Sequence, residues 1–380
     1  MPKVTIDGQS TEVVPGTSIL EAARQIGGAI VPPAMCYYSK LKGSGGKCRT
    51  CLVKVMAQSA ANPNPMPKLV ASCSTPVSDG MVVANITSPE VLDARKAIVE
   101  FLLINHPLDC PVCDQAGECD LQNLSYAHGL EKTRYEFERR TFEKIDIGEK
   151  IQLHMTRCIM CFRCVYTADQ VSKGRVHGVL GRGDAAEIGT YIQASLESDF
   201  IGNVIDVCPV GALTDKTARF ASRVWFLRPM DAHRSCAKCS GKVALWMKGD
   251  EVIRVTGRRD KNGEIEEWIC NECRFDRKDK SDWTVEGPRK IDSHSVISAN
   301  HYGELKQLHV VTQKHLEARR LAGIPDEKTP KLGGKADPSQ DGSRSAGPQD
   351  GGKADSNQDG YKSAGPQDGG KADPAALISG

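Results

Sequence analysis

Thiolates are soft ligands that hold zinc or iron–sulfur clusters, and all fifteen cysteines of this chain stand in spacings that suit such ligation. With one histidine, His106, they make sixteen donors that divide into four sets of four, with no thiol left over. Metal centres arranged in this number point to a protein that passes electrons. They do not point to one that makes or breaks bonds at a nucleophile.

The first set is Cys36, Cys48, Cys51 and Cys73, a close trio with a distant fourth. A plant-type ferredoxin holds a 2Fe-2S cluster in such a pattern, although the first gap here is longer than usual. The glycines of Gly43-Ser44-Gly45-Gly46 would let backbone N–H groups approach the sulfurs; zinc is the plain alternative. The second set is His106, Cys110, Cys113 and Cys119, and its spacing leaves zinc and a 4Fe-4S cluster open. The third is Cys158, Cys161 and Cys164 with Cys208-Pro209. This C-x2-C-x2-C run with a remote Cys-Pro is a strong 4Fe-4S signal, because three near thiolates reach three corners of a cubane and a distant one closes the fourth. The fourth set, Cys236, Cys239, Cys270 and Cys273, is two C-x2-C pairs. It suits a 4Fe-4S cluster or a zinc ribbon equally, although the gap between the pairs is longer than in ribbons. His154, His177 and His233 lie near ligands but read as surface or hydrogen-bonding histidines. No phosphate loop and no dinucleotide fingerprint are present, so direct binding of NAD or FMN is not expected.

The elements that must position these donors can be read in outline. Residues 3–14 alternate around Asp7-Gly8 as a hairpin. A helix capped by Ser18 and Glu21 and ending at Gly27 follows, and strands recur at 51–56 and 81–86. Together they suggest a small mixed sheet clasping one helix. Ser88-Pro89 starts a second helix with Val91, Leu92, Arg95, Ile98, Phe101 and Leu102 at helical spacing, stopped by His106-Pro107. A short helix is expected around 120–128, Gly-punctuated strands between 151 and 229, and a hairpin over 243–255 that turns at Lys248-Gly249-Asp250. Residues 333–350 and 351–368 are two copies of an 18-residue Gly-, Asp-, Lys- and Pro-rich repeat, with a third copy begun at Gly369; the repeat lacks buried-type residues, and the segment is expected to be disordered.

Lys and Arg number 50 against 48 Asp and Glu, which offers nothing to hold nucleic acid. No signal-like start is present, so a reduced cytoplasm is expected. The longest apolar stretch, 97–104, falls well short of the roughly 18 residues of a membrane span. Membrane association would come only through partner subunits.

The segments CYYSKLKGSGGKCRTCLV, FLLINHPLDCPVCDQAGECDLQ, MTRCIMCFRCV and GNVIDVCPVGALT, in this order, closely resemble the large iron–sulfur subunit of respiratory complex I, the NADH-quinone oxidoreductase. The resemblance covers about residues 1–290. It implies an α+β chain: a β-grasp 2Fe-2S ferredoxin-type domain at 1–87, a helical 4Fe-4S segment with one histidine and three cysteine ligands at 88–130, and a 4Fe-4S ferredoxin-like domain at 131–228. A small β-rich domain like the 4Fe-4S domain of Mo/W bis-MGD enzymes, with a variant cysteine pattern, would span 229–290. A connecting segment at 291–332 and the repeat tail at 333–380 would complete it.

By this resemblance the first set holds one 2Fe-2S cluster and the second and third hold two 4Fe-4S clusters, while the fourth takes a third 4Fe-4S cluster or zinc. The family's fourth-cluster pattern puts a cysteine where Val243 stands, so Cys273 would have to replace it. The family's molybdopterin-enzyme-like domain has no counterpart here, and bound molybdopterin is not expected. The implied function is an electron-transfer subunit, without a catalytic residue of its own, of a proton-translocating NADH-quinone oxidoreductase. It would be peripheral on the cytoplasmic face of a bacterial membrane. Its partners would be a flavin-bearing NADH-oxidising subunit and other iron–sulfur subunits of the peripheral arm. The rivals are the equivalent subunit of an NAD-linked hydrogenase or formate dehydrogenase, and a zinc-stabilised scaffold or assembly protein.

Overall fold

The computed structural model describes residues 1–289 except 131–132, 136–137, 143–144, 175–176 and 191–197. The connecting segment and the repeat tail lie outside the described residues.

Strands β1 (Lys3–Ile6) and β2 (Gln9–Glu12) form the expected hairpin. Its turn holds Asp7 at φ 46° and Gly8 at φ 83°, the left-handed pair that matches strand twist in a two-residue loop. Helix α1 (Ile19–Ile26) starts where Ser18 Oγ accepts from the Glu21 N–H at 3.3 Å, and stops at Gly27, whose φ of 80° suits glycine. With β3 (Leu52–Ala57), β4 (Val70–Ala71) and β5 (Met81–Ala84) these make a five-stranded sheet in the order β2-β1-β5-β3-β4, parallel only between β1 and β5. Val4, Ile6, Ile19, Val53, Val55 and Val83 fill the space between sheet and helix. This is the clasped arrangement expected for the first domain.

Helix α2 (Pro89–Leu103) is capped by Ser88 Oγ, which accepts from the Val91 N–H, and ends before His106-Pro107. Its buried stripe differs from the expected one. Val91, Leu92, Arg95 and Val99 face inward, whereas Phe101 is 72% exposed. Positions 91, 95 and 99 keep step with the 3.6-residue period, and 101 has rotated off it. Helix α3 (Asp120–His128) packs against α2.

Beyond them, β6 (Ile145–Asp146), β7 (Ile151–Leu153) and β10 (Leu213–Asp215) make one small sheet, while β8 (His177–Leu180) pairs with β9 (Glu187–Thr190). Helices α4 (Arg163–Gln170) and α5 (Asn203–Val207) pack on each other between these strands. The last sheet takes β11 (Arg228–His233), β12 (Lys242–Lys248), β13 (Glu251–Thr256) and β14 (Thr284–Pro288) in the order β13-β12-β11-β14. The β12–β13 hairpin turns at Gly249, φ 63°, as expected.

One buried and one half-buried ion pair tie the last sheet and its following turn to the rest. Arg274 on the turn after β13 bonds Asp206 of α5, both almost fully buried. Burial alone would raise the Asp206 carboxyl, but Arg274, with Arg259 and the Gly257 N–H, holds it below its usual range. Arg254 on β13 forks onto Glu118 at 2.6 and 2.7 Å. Among the described residues no helix is long and apolar enough to cross a membrane.

Candidate metal centres

Cys36, Cys48 and Cys51 of the first set sit on the loop between α1 and β3, and Cys73 follows β4. Cys36 Sγ accepts from the Lys47 and Cys48 N–H groups, each at 3.3 Å, and Cys73 Sγ accepts from the Gly46 N–H at 3.2 Å. The glycine-rich turn thus does what its composition suggests. At Gly45, φ 99°, an added Cβ would stand 3.3 Å from Cys73 Sγ and 3.2 Å from the Tyr37 ring, so only glycine lets the loop close over the sulfur. The thiols fall into pairs: Cys51 Sγ lies 3.4 Å from Cys73 Sγ, and Cys48 is pushed up first by its contact with Cys36. Two pairs of thiolates are what a two-iron rhomb needs.

The third set lines a cavity with apolar walls, in which Cys158, Cys161, Cys164 and Cys208 meet Leu153, Ile159, Ile188, Val210 and Leu213. Met160 and Phe162 have φ of 53° and 64°. These left-handed residues wind the C-x2-C-x2-C run into α4, whose first turn carries Cys164. Burial pushes the Cys161 thiol up to about 12 and raises Cys158, Cys164 and Cys208 as well. Free thiolates are therefore disfavoured in this apolar setting. Cationic iron would remove the penalty.

The second set follows α2. Cys113 and Cys119 are buried, Cys110 is exposed, and the His106 ring is brought down to about 4 by burial, with Asp109 opposing. A ring that is neutral at neutral pH is the form that binds metal. Gly211 packs so closely on this loop that a Cβ there would run into Cys113 Sγ. Cys119 Sγ lies 3.8 Å from the carbonyl of Pro209, the residue after Cys208.

The fourth set differs in scale. Among the described residues its four sulfurs are the one group of three or more such donors that all lie within 4.8 Å of one another. The Cys236–Cys270, Cys239–Cys270 and Cys239–Cys273 separations are each 3.7 Å. Cys273 joins the group, while Val243 lies in β12 opposite Ala232 and is fully buried. Burial works against a Cys236 thiolate, but the Lys238 and Cys239 N–H groups favour it and bring the thiol down to about 7.

Each set also has an arginine that its spacing did not announce. Arg95 is buried, donates to the Thr50 and Leu52 carbonyls, and stabilises negative charge on Cys51. Arg157 lies beside Cys113 and bonds Asp109. Arg163 reaches the Ala34 and Tyr37 carbonyls around Cys36 and acts on Cys161 and Cys208. Arg234 points at Cys273 Sγ from 3.6 Å. Of the remaining histidines, His154 meets Arg219 and His233 meets Glu286, as expected of hydrogen-bonding residues. His177 corrects the reading: it is buried, with no hydrogen-bond partner for either ring nitrogen among the described residues, and burial lowers it to about 4.

Comparison with known proteins supplies the family. Residues 2–88 match the 2Fe-2S iron–sulfur cluster binding domain, 95–134 the NADH-ubiquinone oxidoreductase-G iron–sulfur binding region, and 148–214 the ferredoxin-like domain of NADH-quinone oxidoreductase subunit 3. The NADH-ubiquinone oxidoreductase 75 kDa subunit of Reclinomonas americana is 42% identical over 275 residues, and the corresponding NADH-quinone oxidoreductase subunit of Rickettsia bellii 41% over 276. Each match takes in 72% of this chain but 38% of the relative, so the chain spans well under half of their length. Among solved structures, a chain of an NAD+-reducing NiFe-hydrogenase in its H2-reduced state is similar at 27% identity and a TM-score of 0.50, covering 59% of this chain and 91% of that one. The cluster-binding regions match in the same order as the first three cysteine sets, and the chain belongs to the family of the large iron–sulfur subunit of NADH-quinone oxidoreductase, in its N-terminal iron–sulfur portion.

Proposed function

We propose that this chain relays electrons, one at a time, from a flavin-bearing NADH-oxidising subunit towards quinone. Cys36, Cys48, Cys51 and Cys73 hold a 2Fe-2S cluster. His106, Cys110, Cys113 and Cys119 hold one 4Fe-4S cluster, and Cys158, Cys161, Cys164 and Cys208 another.

The observation that carries this reading is a single apolar core. Cys36 and Cys48 of the first set, Cys119 of the second and Cys161 of the third are packed in one buried cluster with Met35, Val99 and Val210. Cys158 and Cys208 pack against it. Ligands from all three sets that share one apolar core bring their centres close together, which suits electron tunnelling. The protein's part is to set spacing and to tune potential through burial, N–H donors and nearby charge.

Partner subunits follow from the same reading. Leu108 and Val112, on either side of the exposed Cys110, are 79% and 55% exposed, a surface better covered by protein than by water. The complex lies on the cytoplasmic face of a bacterial membrane and meets the bilayer through other subunits. The likeness to a hydrogenase chain supports a second reading, the equivalent relay in an NAD-linked hydrogenase. A nickel-bearing subunit that co-purifies would favour it.

The test is anaerobic purification with iron and sulfide analysis and EPR of the reduced protein. About ten irons are expected, two from the first set and four from each of the next two, with three reducible centres. Zinc alone, without iron, overturns the relay. His106→Ala should change the signature of one 4Fe-4S centre and leave the other two.

A further inference from the structure

We infer that Cys236, Cys239, Cys270 and Cys273 hold a single tetrahedral zinc ion, not a fourth iron–sulfur cluster, and that this ion clamps the last sheet to the turn that carries Arg274. Such an ion lies outside the electron relay and does not depend on it.

Size separates the two kinds of centre. In a cubane each thiolate binds a different iron, so two ligand sulfurs are held apart by an iron–iron separation and two outward-pointing bonds. Four thiolates on one ion are closer. With Zn–S bonds of about 2.3 Å, the edge of the sulfur tetrahedron is about 3.8 Å. Three of the sulfur–sulfur separations here are 3.7 Å, and every pair is within 4.8 Å. No such group forms among the thiols of the other three sets, in the same chain and among the described residues.

The surroundings agree. The Lys238 and Gly241 N–H groups each donate at 3.4 Å, to Cys236 Sγ and Cys239 Sγ, so each sulfur of this C-x2-C pair is met by the amide two residues on. Arg234 and Lys238 stand nearby to offset the net negative charge of four thiolates on a divalent ion. The long gap between the pairs is accounted for by the β12–β13 hairpin and its following loop, which lie between the two halves of the site.

Position favours zinc over a single redox iron. These four cysteines belong to a separate core with Ala232, Val243, Leu245, Ile269 and Trp283, and none of the other eleven cysteines shares it. Among the described residues, this core shares no member with the core that joins the other three sets. All four ligand positions are filled by protein, which leaves no open position for chemistry, as in structural zinc sites. Cys236 and Cys239 come from the β11–β12 connection, while Cys270 and Cys273 begin the turn on which Arg274 binds Asp206.

The test uses the full chain purified in its complex, with metal analysis and X-ray absorption at the zinc edge. One zinc per chain is expected, with a single shell of four sulfurs near 2.3 Å and no metal–metal scattering. Cys239→Ser should lose that zinc while all three iron–sulfur signals persist. A zinc-free chain with about fourteen irons and a fourth reducible centre overturns the inference and leaves the relay intact. One extra iron with the spectrum of a mononuclear tetrathiolate overturns the zinc assignment. Loss of an iron–sulfur signal in Cys239→Ser, with zinc retained, overturns it as well.

Discussion

The third and fourth cysteine sets use the same ligand chemistry and come out as different devices. In the third, four thiols are spread around an apolar cavity and share buried contacts with the first and second sets. In the fourth, four thiols converge to the edge length of a single ion inside a core of their own. Thiolates alone do not decide what a site does. The distance between the sulfurs selects the metal group, and the packing around them decides whether an electron has anywhere to go.

The strongest way to break this contrast is to remove one thiol from each region. On the proposed relay, Cys161→Ser takes a ligand from the shared core and should drop NADH-driven quinone reduction in the assembled complex to background. Cys273→Ser should lose zinc, keep all three iron–sulfur signals, and open the last sheet, read as faster amide exchange over residues 228–289. If Cys273→Ser removes a redox signal, the two regions are not distinct.

The regions are joined by the buried pair of Asp206 and Arg274. Asp206→Asn leaves the arginine charge uncompensated and should cost about 3–5 kcal/mol, read by urea unfolding of the last sheet. The sign of its pH dependence follows from the lowered carboxyl. The contribution is complete above the unfolded value of about 3.9 and is lost only as pH falls through the folded value. The gap between wild type and Asp206→Asn should therefore stay constant from about pH 8 to about pH 5.5, above that unfolded value. A gap that varies in this window would assign the effect to another group.

A second pair of variants compares glycines. Gly211→Ala places a methyl against Cys113 Sγ, and overpacking of that kind costs about 1–3 kcal/mol. If Cys113 is a ligand as proposed, the expected result is loss of the second set's centre with the other signals kept. Gly249→Ala, in the β12–β13 turn, meets nothing within 4 Å and is strained only by its φ of 63°. It should cost about 1 kcal/mol and release no metal.

Much of this was legible in the chain. Ligand sets show in sequence because ligation demands tight local reversals, and C-x2-C, glycine and proline record them. The α1 and α2 caps, the Asp7-Gly8 turn and the Gly249 hairpin were readable for the same local reason. Strands β11 and β14 were not, since RPMDAH and TVEGP are short and mixed, and pair across some fifty residues. Spacing also could not distinguish zinc from a cluster at the fourth set, because it counts donors without measuring between them. The buried arginines were hidden by their own chemistry. Arg95 falls on the inward stripe of its helix by spacing and Arg163 reads as a surface residue, but only tertiary contact shows either one turned towards a carbonyl or a thiol.

Those arginines allow the finest comparison. Arg163, itself buried, acts on Cys161 and Cys208, so its charge should stabilise the reduced form of the third set's centre. One unit charge some 8 Å away, across an effective dielectric near 20, is worth roughly 2 kcal/mol, which is about 90 mV for one electron. Arg163→Gln should lower that centre's midpoint potential by an amount of this order in an EPR-monitored redox titration. Arg163→Lys keeps the charge and should recover much of the potential even though it cannot reproduce both bonds to the Ala34 and Tyr37 carbonyls. Arg234→Gln removes a similar charge from beside Cys273. With no redox couple in that core, it should move no potential and only make the zinc easier to strip with a chelator. A shift in any cluster potential on Arg234→Gln would place the fourth set back on the electron path.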